Sequence, residues 1–255
     1  MKIRFNKTTL VSAFAACTIS FSSCTDLSET LYSEIAAEEY EFTDRDYQAM
    51  FAPVYSSLRD MYWGWYSMAD IMDQSSDVWC IPYRIGIGWG DLYVSLHKHE
   101  FHSQIAHFDA AWNRAYSGIN SCNKLLDDPK IQEDEKTSSQ LRAYRAMYYY
   151  LLFDLFRNVP LDTQFAHEEG WLPEQASTQE MWDFLISELN DIKGKCGNDN
   201  IMGKINNYAV NMMLAKLYLN HNAYFRGANE LSYDDSDKSW YGKCIDELNE
   251  IINSG

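Results

Sequence analysis

From about residue 107 onward, apolar side chains return every three or four positions in long blocks, and each block ends at residues that stop a helix. A period near 3.6 commits most of this chain to amphipathic helices and leaves little room for a sheet. Phe108, Trp112, Tyr116, Ile119, Asn123 and Leu126 line one face, closed by Asp127-Asp128-Pro129. A second helix is predicted from about Thr137 to Phe156, stopped by Asn158 and Pro160. A third opens at Ser177 or Thr178 with Glu180 and ends near Gly194. A fourth, Ile205 to Leu219, carries Tyr208, Met212, Ala215 and Leu219. A fifth runs from Trp240 to Ile252 and is capped by Asn253-Ser254-Gly255. An earlier helix, started by Thr43-Asp44, carries Tyr47, Phe51, Tyr55 and Leu58. From residue 137 the helices alternate with loops at intervals of roughly 30–40 residues, the rhythm of tetratricopeptide-type repeats. Ala143, Ala146, Ala209 and Ala215 would let neighbouring helices approach closely. The predicted fold is therefore all-α in the main, built of tetratricopeptide-like helical repeats over about 107–255.

Residues 62–102 break this rhythm. They mix Trp63, Gly64, Trp65, Gly86, Gly88, Trp89 and Gly90 with no sustained period, which predicts a long, irregular, aromatic-rich loop region with at most short helix or strand pieces. A flat ring offers an apolar face to the C–H face of a sugar, while carboxylates and guanidinium groups meet its hydroxyls. Trp79, Tyr83 and Trp89 are the ring candidates for a ligand contact, with Asp73 and Arg84 as hydroxyl partners. The bland alternative packs most of these rings onto the helices. Asp70, Asp73 and Asp77, spaced at three and four, read as capping or solvated acids rather than catalytic ones.

The first 24 residues are not part of that body. Lys2, Arg4 and Lys7 precede an apolar run from about Leu10 to Phe21, then Phe21-Ser22-Ser23-Cys24. A basic start, a short apolar core and small residues before the cut make an export signal, and the cysteine at its end is where a lipoprotein is acylated. Cys17 has its own small-residue approach, but cutting there would leave an apolar stretch behind. Residues 1–24 are thus expected to be a lipoprotein signal peptide, with Cys24 the lipid-attachment residue and residues 25–255 the mature body. Removing them takes away three of 21 basic residues and none of the 37 acidic ones, so the mature charge falls from −16 to −19. Such a body has no footprint for nucleic acid, and it would be repelled by anionic lipid, so the membrane is reached through the acyl chain.

Other chemistry is thinly represented. Cys80, Cys122, Cys196 and Cys244 contain no C-x-x-C spacing, and Cys122 and Cys244 fall in helical patterns, which predicts buried free thiols. His97, His99, His102 and His107 form a cluster, but His102 and His107 share a face on neither a helix nor a strand. Solvated or helix-capping roles are expected there rather than a metal. Around Asp235 a calcium loop fails because Trp240 stands where its glycine should fall. There is no G-x-S-x-G, H-E-x-x-H or phosphate-cradling loop, so no catalytic residue and no cofactor are predicted.

Three stretches resemble a known family. They are Trp112-x-x-x-Tyr116-x-x-Ile119-Asn120-x-Cys122-Asn123-x-Leu125-Leu126; Arg145-Ala146-Met147-Tyr148-Tyr149-Tyr150-Leu151-Leu152 followed by Phe156-Arg157-Asn158-Val159-Pro160-Leu161; and Lys204-Ile205-Asn206-Asn207-Tyr208-Ala209 followed by Met213-Leu214-Ala215-Lys216-Leu217-Tyr218-Leu219. In this order behind a lipoprotein-like signal, they resemble the SusD/RagB nutrient-uptake lipoproteins. Two positions depart: Arg157 stands at the family's usual glycine, and Gln140 at its usual glutamate. The chain also resembles only the N-terminal half of members about twice as long. The resemblance implies a non-enzymatic, surface-exposed outer-membrane lipoprotein that captures an oligosaccharide or polysaccharide. It would pass this ligand to a SusC-type TonB-dependent transporter. The competing readings are a helical scaffold whose ligand is a protein, an exported helical glycosidase, and a truncated member without function.

The anchor is directly testable. Cells fed a clickable fatty acid should label the wild-type protein, and Cys24→Ala should take up no label; retained label would move the anchor elsewhere.

Overall fold

A computed structural model of the chain describes residues 43–83, 91–201, 203–226 and 238–254. Cys24, Arg84, Trp89 and the Asp234–Asp237 acids lie outside these residues. The body from Asp44 onward contains α1 (Asp44–Trp63), α2 (Met68–Gln74), α3 (Asp91–His97), α4 (Ala106–Leu126), α5 (Pro129–Glu133), α6 (Glu135–Phe156), α7 (Thr178–Ile192), α8 (Asn207–Leu219), α9 (His221–Tyr224) and α10 (Ser239–Ile252). Among the described residues the β-structure is a single antiparallel bridge, Pro160 to Gln175. The predicted all-α class holds. The long helices pack in succession, α1 on α4, α4 on α6, α6 on α7, α7 on α8 and α8 on α10, the nearest-neighbour arrangement of a helical-repeat body.

Local chemistry sets the ends of these helices. Asp134 accepts from the Lys136 and Thr137 amides (3.1 and 3.2 Å) and starts α6 two residues before the expected position. Ser177 and Glu180 form a reciprocal capping box on α7, as their spacing predicts. Asn206 caps α8 by accepting from the Ala209 amide.

The core is centred on α6, which is buried nearly all round from Leu141 to Phe153. Against it α4 presents a stripe of small residues, Ala111, Ala115, Gly118 and Cys122, rather than the aromatic stripe that periodicity singles out. Gly118 is required by close approach: a Cβ there would lie 2.1 Å from the ring of Tyr148. That ring cannot step aside, because its hydroxyl donates to the Val54 carbonyl of α1. Phe108, Trp112 and Tyr116 form a half-buried ladder beside the stripe. There Trp112 meets Phe156 edge-on at 5.4 Å, and Tyr149 meets Phe184 at 5.4 Å. Much of the aromatic content is therefore structural.

Buried charges lock the repeats. Arg145 donates to Glu188 on α7 (2.8 Å), to Asn123 on α4 (2.9 Å) and to the Thr163 carbonyl (3.0 Å). Arg142 makes a two-pronged pair with the same Glu188 (3.0 and 2.6 Å). Burial pushes the Glu188 carboxyl up, but the two arginines outweigh it and hold it below the ordinary range. Further along, Lys193, Glu247, Glu250 and Asn211 tie α7, α10 and α8 together.

Within residues 62–102 the short helix pieces that the sequence allows are α2 and α3. Both are seven residues long, too short to leave a periodic signal. On α8 the expected stripe is misplaced: Met212 and Leu219 are exposed, whereas Val210, Met213, Leu214, Leu217 and Tyr218 are buried. A helix packed by α6, α7 and α10 at once buries so wide a face that apolar spacing no longer marks one stripe. The Gln140 side chain donates to the Cys196 carbonyl (2.9 Å), a bond that a glutamate in its ionised form could not make. Cys122, Cys196 and Cys244 follow expectation as buried, unpaired thiols, whereas Cys80 is unpaired but exposed.

Arg157 ends α6 with φ +65° and ψ −77°, and the Asn158 amide donates to the Phe156 carbonyl across it (2.9 Å). This is a γ-turn of the strained, positive-φ kind. The guanidinium lies over the rings of Tyr224 (4.4 Å) and Phe153 (5.0 Å), which offsets the strain. Arg157→Gly removes strain and stacking together, whereas Arg157→Ala removes only the stacking. In urea melts Gly should therefore be more stable than Ala at this position by about 1 kcal/mol. Gly118→Ala should cost about 2 kcal/mol or more in the same melts through overpacking.

Candidate functional site

The last turn of α1 delivers Trp63 to the surface, and the chain then reverses sharply. The Gly64 amide donates to the Asp60 carbonyl (2.9 Å), and a Cβ at Gly64 would stand 2.4 Å from that oxygen. Tyr66 follows at φ +55°. The reversal leaves Trp63 80% and Trp65 70% exposed. Ser67 then caps α2 with a capping box: its hydroxyl accepts from the Asp70 amide (3.2 Å), and Asp70 Oδ2 accepts from the Ser67 amide (3.1 Å).

Gln74 closes the third side. Its side chain is buried, and its Oε1 accepts from the Ile81 amide (2.9 Å), which folds the segment after α2 back over the helix. Trp79 rides on that segment, 56% exposed. The result is a cleft of about 360 Å³ rimmed by Trp63, Trp65 and Trp79, with Ser67, Asp70, Asp73, Gln74 and Tyr93 among its lining residues. Burial and the neighbouring Asp70 carboxylate push the Tyr93 hydroxyl up to about 12, so it stays a protonated donor.

Behind the cleft stands His107 at the start of α4, fully buried. The rings of Tyr66 (5.0 Å) and Tyr93 (4.8 Å) meet it edge-on, and its Nε2 lies 3.8 Å from Asp70 Oδ2. Neither ring nitrogen has a hydrogen-bond partner. Burial lowers the His107 pKa, with the Asp70 charge acting the other way. The expectation of a solvated or capping histidine therefore fails at His107. It holds at His99, whose Nε2 lies 2.7 Å from the Ser75 carbonyl at the end of α2. Among the described residues no group of His, Cys, Asp and Glu could hold a metal.

Of the residues proposed from sequence, Trp79 and Asp73 line this cleft together. Tyr83 is exposed but outside the lining. Trp63 and Trp65 belong to the aromatic stretch read from the sequence but were not among the preferred contacts, and Gln74 was not singled out. The signal that could have found the first two is the glycine between them, which marks a reversal that leaves both rings outside the core. Further clefts are lined by described residues. One of about 430 Å³ lies between α1, α5 and α6 and includes Phe51, Lys130 and Lys204, and one of about 390 Å³ lies beside Asn123 and Phe165. Neither gathers exposed tryptophans.

No family model and no curated protein matches the chain. Solved structures do. One is a laminarin-binding SusD-like protein, 21% identical with TM-score 0.66 over 84% of this chain and 44% of that one. The fold is SusD-like. Surface glycan-binding protein A from Bacteroides uniformis is 21% identical with TM-score 0.62, over 83% of this chain and 46% of that protein. The Bacteroides thetaiotaomicron protein of that name, solved with laminarihexaose, is 19% identical with TM-score 0.59, over 84% and 44%. The chain thus spans less than half the length of each of these structures.

Proposed function

We propose that this chain is a SusD/RagB-type glycan-capturing protein, that the cleft of Trp63, Trp65 and Trp79 is its sugar platform, and that Asp73, beside them, serves the sugar hydroxyls. The observation that carries the reading is the exposure of three tryptophans around one cleft beside this carboxylate. A soluble body gains nothing by leaving such rings in water, and stacked sugar faces are the partners they suit. Two SusD-like neighbours are described as binding laminarin or laminarihexaose, which supports the same reading. In this proposal Cys24 carries the acyl anchor at the outer-membrane surface, and the bound glycan passes to a SusC-type transporter.

Binding fits the cleft better than hydrolysis. A glycosidase needs two opposed carboxylates free to act. Here Asp70 is committed to the capping box of α2, which leaves Asp73 as the cleft's uncommitted acid.

Isothermal titration against laminarihexaose, a xyloglucan oligosaccharide and a wider glycan panel tests this. Trp63→Ala and Trp79→Ala, at exposed positions, should leave the melting temperature unchanged and weaken binding about tenfold each, roughly 1.4 kcal/mol. If no glycan binds, or if both variants bind like wild type, the cleft is not the platform. Release of reducing sugar on the same panel would establish an enzyme instead.

A further inference from the structure

A fully buried histidine with both nitrogens unpartnered is costly, since each orphaned polar atom forfeits its hydration without a replacement bond. His107 is held in that state directly behind the cleft, against two of its polar elements, Asp70 and Tyr93. Its neutral ring fills the space between Tyr66 and Tyr93 and so sets how α2 and α3 sit on α4. A protonated ring could not stay as it is. The imidazolium would need a partner, and the charge that acts on it among the described residues is Asp70. A charge-assisted bond requires about 2.8 Å, whereas the present separation is 3.8 Å. Closing that gap draws Asp70 Oδ2 from the Ser67 amide that it now accepts and opens the capping box that starts α2. Other groups at this end offer no alternative. The turn after α1 and α3 present the rings of Tyr66 and Tyr93. On α1, Asp60 is bonded to Arg59; on α4, Arg114 donates to the Asp60 carbonyl and Asp109 is exposed.

We propose that His107 is a positioning residue of the tryptophan cleft: as a neutral ring behind Asp70 it holds the first turn of α2 in the binding geometry, and proton uptake releases that turn, so glycan capture weakens in mildly acidic medium. This rests on the cleft being the sugar platform. The sign follows from burial. The folded protein disfavours the charged ring, so His107 contributes its full stability above about pH 6.5, the ordinary histidine value, and loses it as the pH falls below.

Two measurements between pH 7.5 and 5.5 test it. The first is the Kd of laminarihexaose, or of whichever panel glycan binds at pH 7.5, for wild type, His107→Gln and His107→Phe. Wild-type affinity should fall about threefold, while the variants, which cannot titrate, should stay flat. The second uses unliganded wild type and needs no variant to fold. It follows the His107 ring nitrogens by NMR alongside tryptophan emission, and the emission change should track His107 protonation. Parallel pH profiles in wild type and variants, or His107 titration without an emission change, would overturn the proposal. If no glycan binds at any pH while emission still follows His107, the sugar reading fails and the positioning role stands.

Discussion

Three tyrosines on two adjacent turns of α6 hold this protein together through hydroxyls rather than through apolar contact alone. Tyr144 donates to the Gly203 carbonyl and accepts from the Ile205 amide, fixing the entry to α8. Tyr148 reaches across the gap opened by Gly118 to the Val54 carbonyl of α1. Tyr149 donates to the Asp162 carbonyl (2.6 Å) and accepts from the Asp162 amide (2.8 Å), pinning the loop after α6. Burial raises all three hydroxyls well above their ordinary range, so they remain donors at any physiological pH. One helix thereby reads out the positions of α1, α8 and the long loop, and Arg145 adds α4 and α7 to the set. Without that helix the α1–α4 pair and the α8–α10 pair would keep their own packing and lose the element that joins them.

The parts of the fold that were legible in the sequence are those where local chemistry and tertiary packing agree. Ser177 with Glu180, Asn158 with Pro160, and the alanines of α6 each specify a feature that the packing then uses. The misread parts are those where packing overrides the local pattern. On α8, three neighbours bury so much of the circumference that Met212 and Leu219 were mistaken for the inner stripe. On α4, the stripe that matters is the one lacking large side chains, which hydrophobic spacing is built to overlook. Arg157 marks a third kind of case. Its departure from glycine was visible, but the positive φ and the two rings that compensate for it required coordinates.

The candidate site divides in the same way. Trp79 and Asp73 were legible because rings and acids cluster in a stretch with no helical period. Trp63 and Trp65 gained their significance only once Gly64 was seen to reverse the chain beneath Arg114. His107 was illegible in principle: its burial depends on α2 and α3 closing over the start of α4, and neither helix leaves a trace in the sequence period.

The two helices that shape the cleft are seven residues each, far below the length at which a helix persists by itself in water. Their order is borrowed from α4, while the tyrosine-bonded centre of the body lies elsewhere along the chain. Opening free energy should therefore differ between the two regions, with the cleft elements at the low end and α6 near the global limit. The protein can in this way change the rigidity of its ligand face, through sequence drift or through solution conditions, without drawing on the cooperativity that keeps the helical body folded.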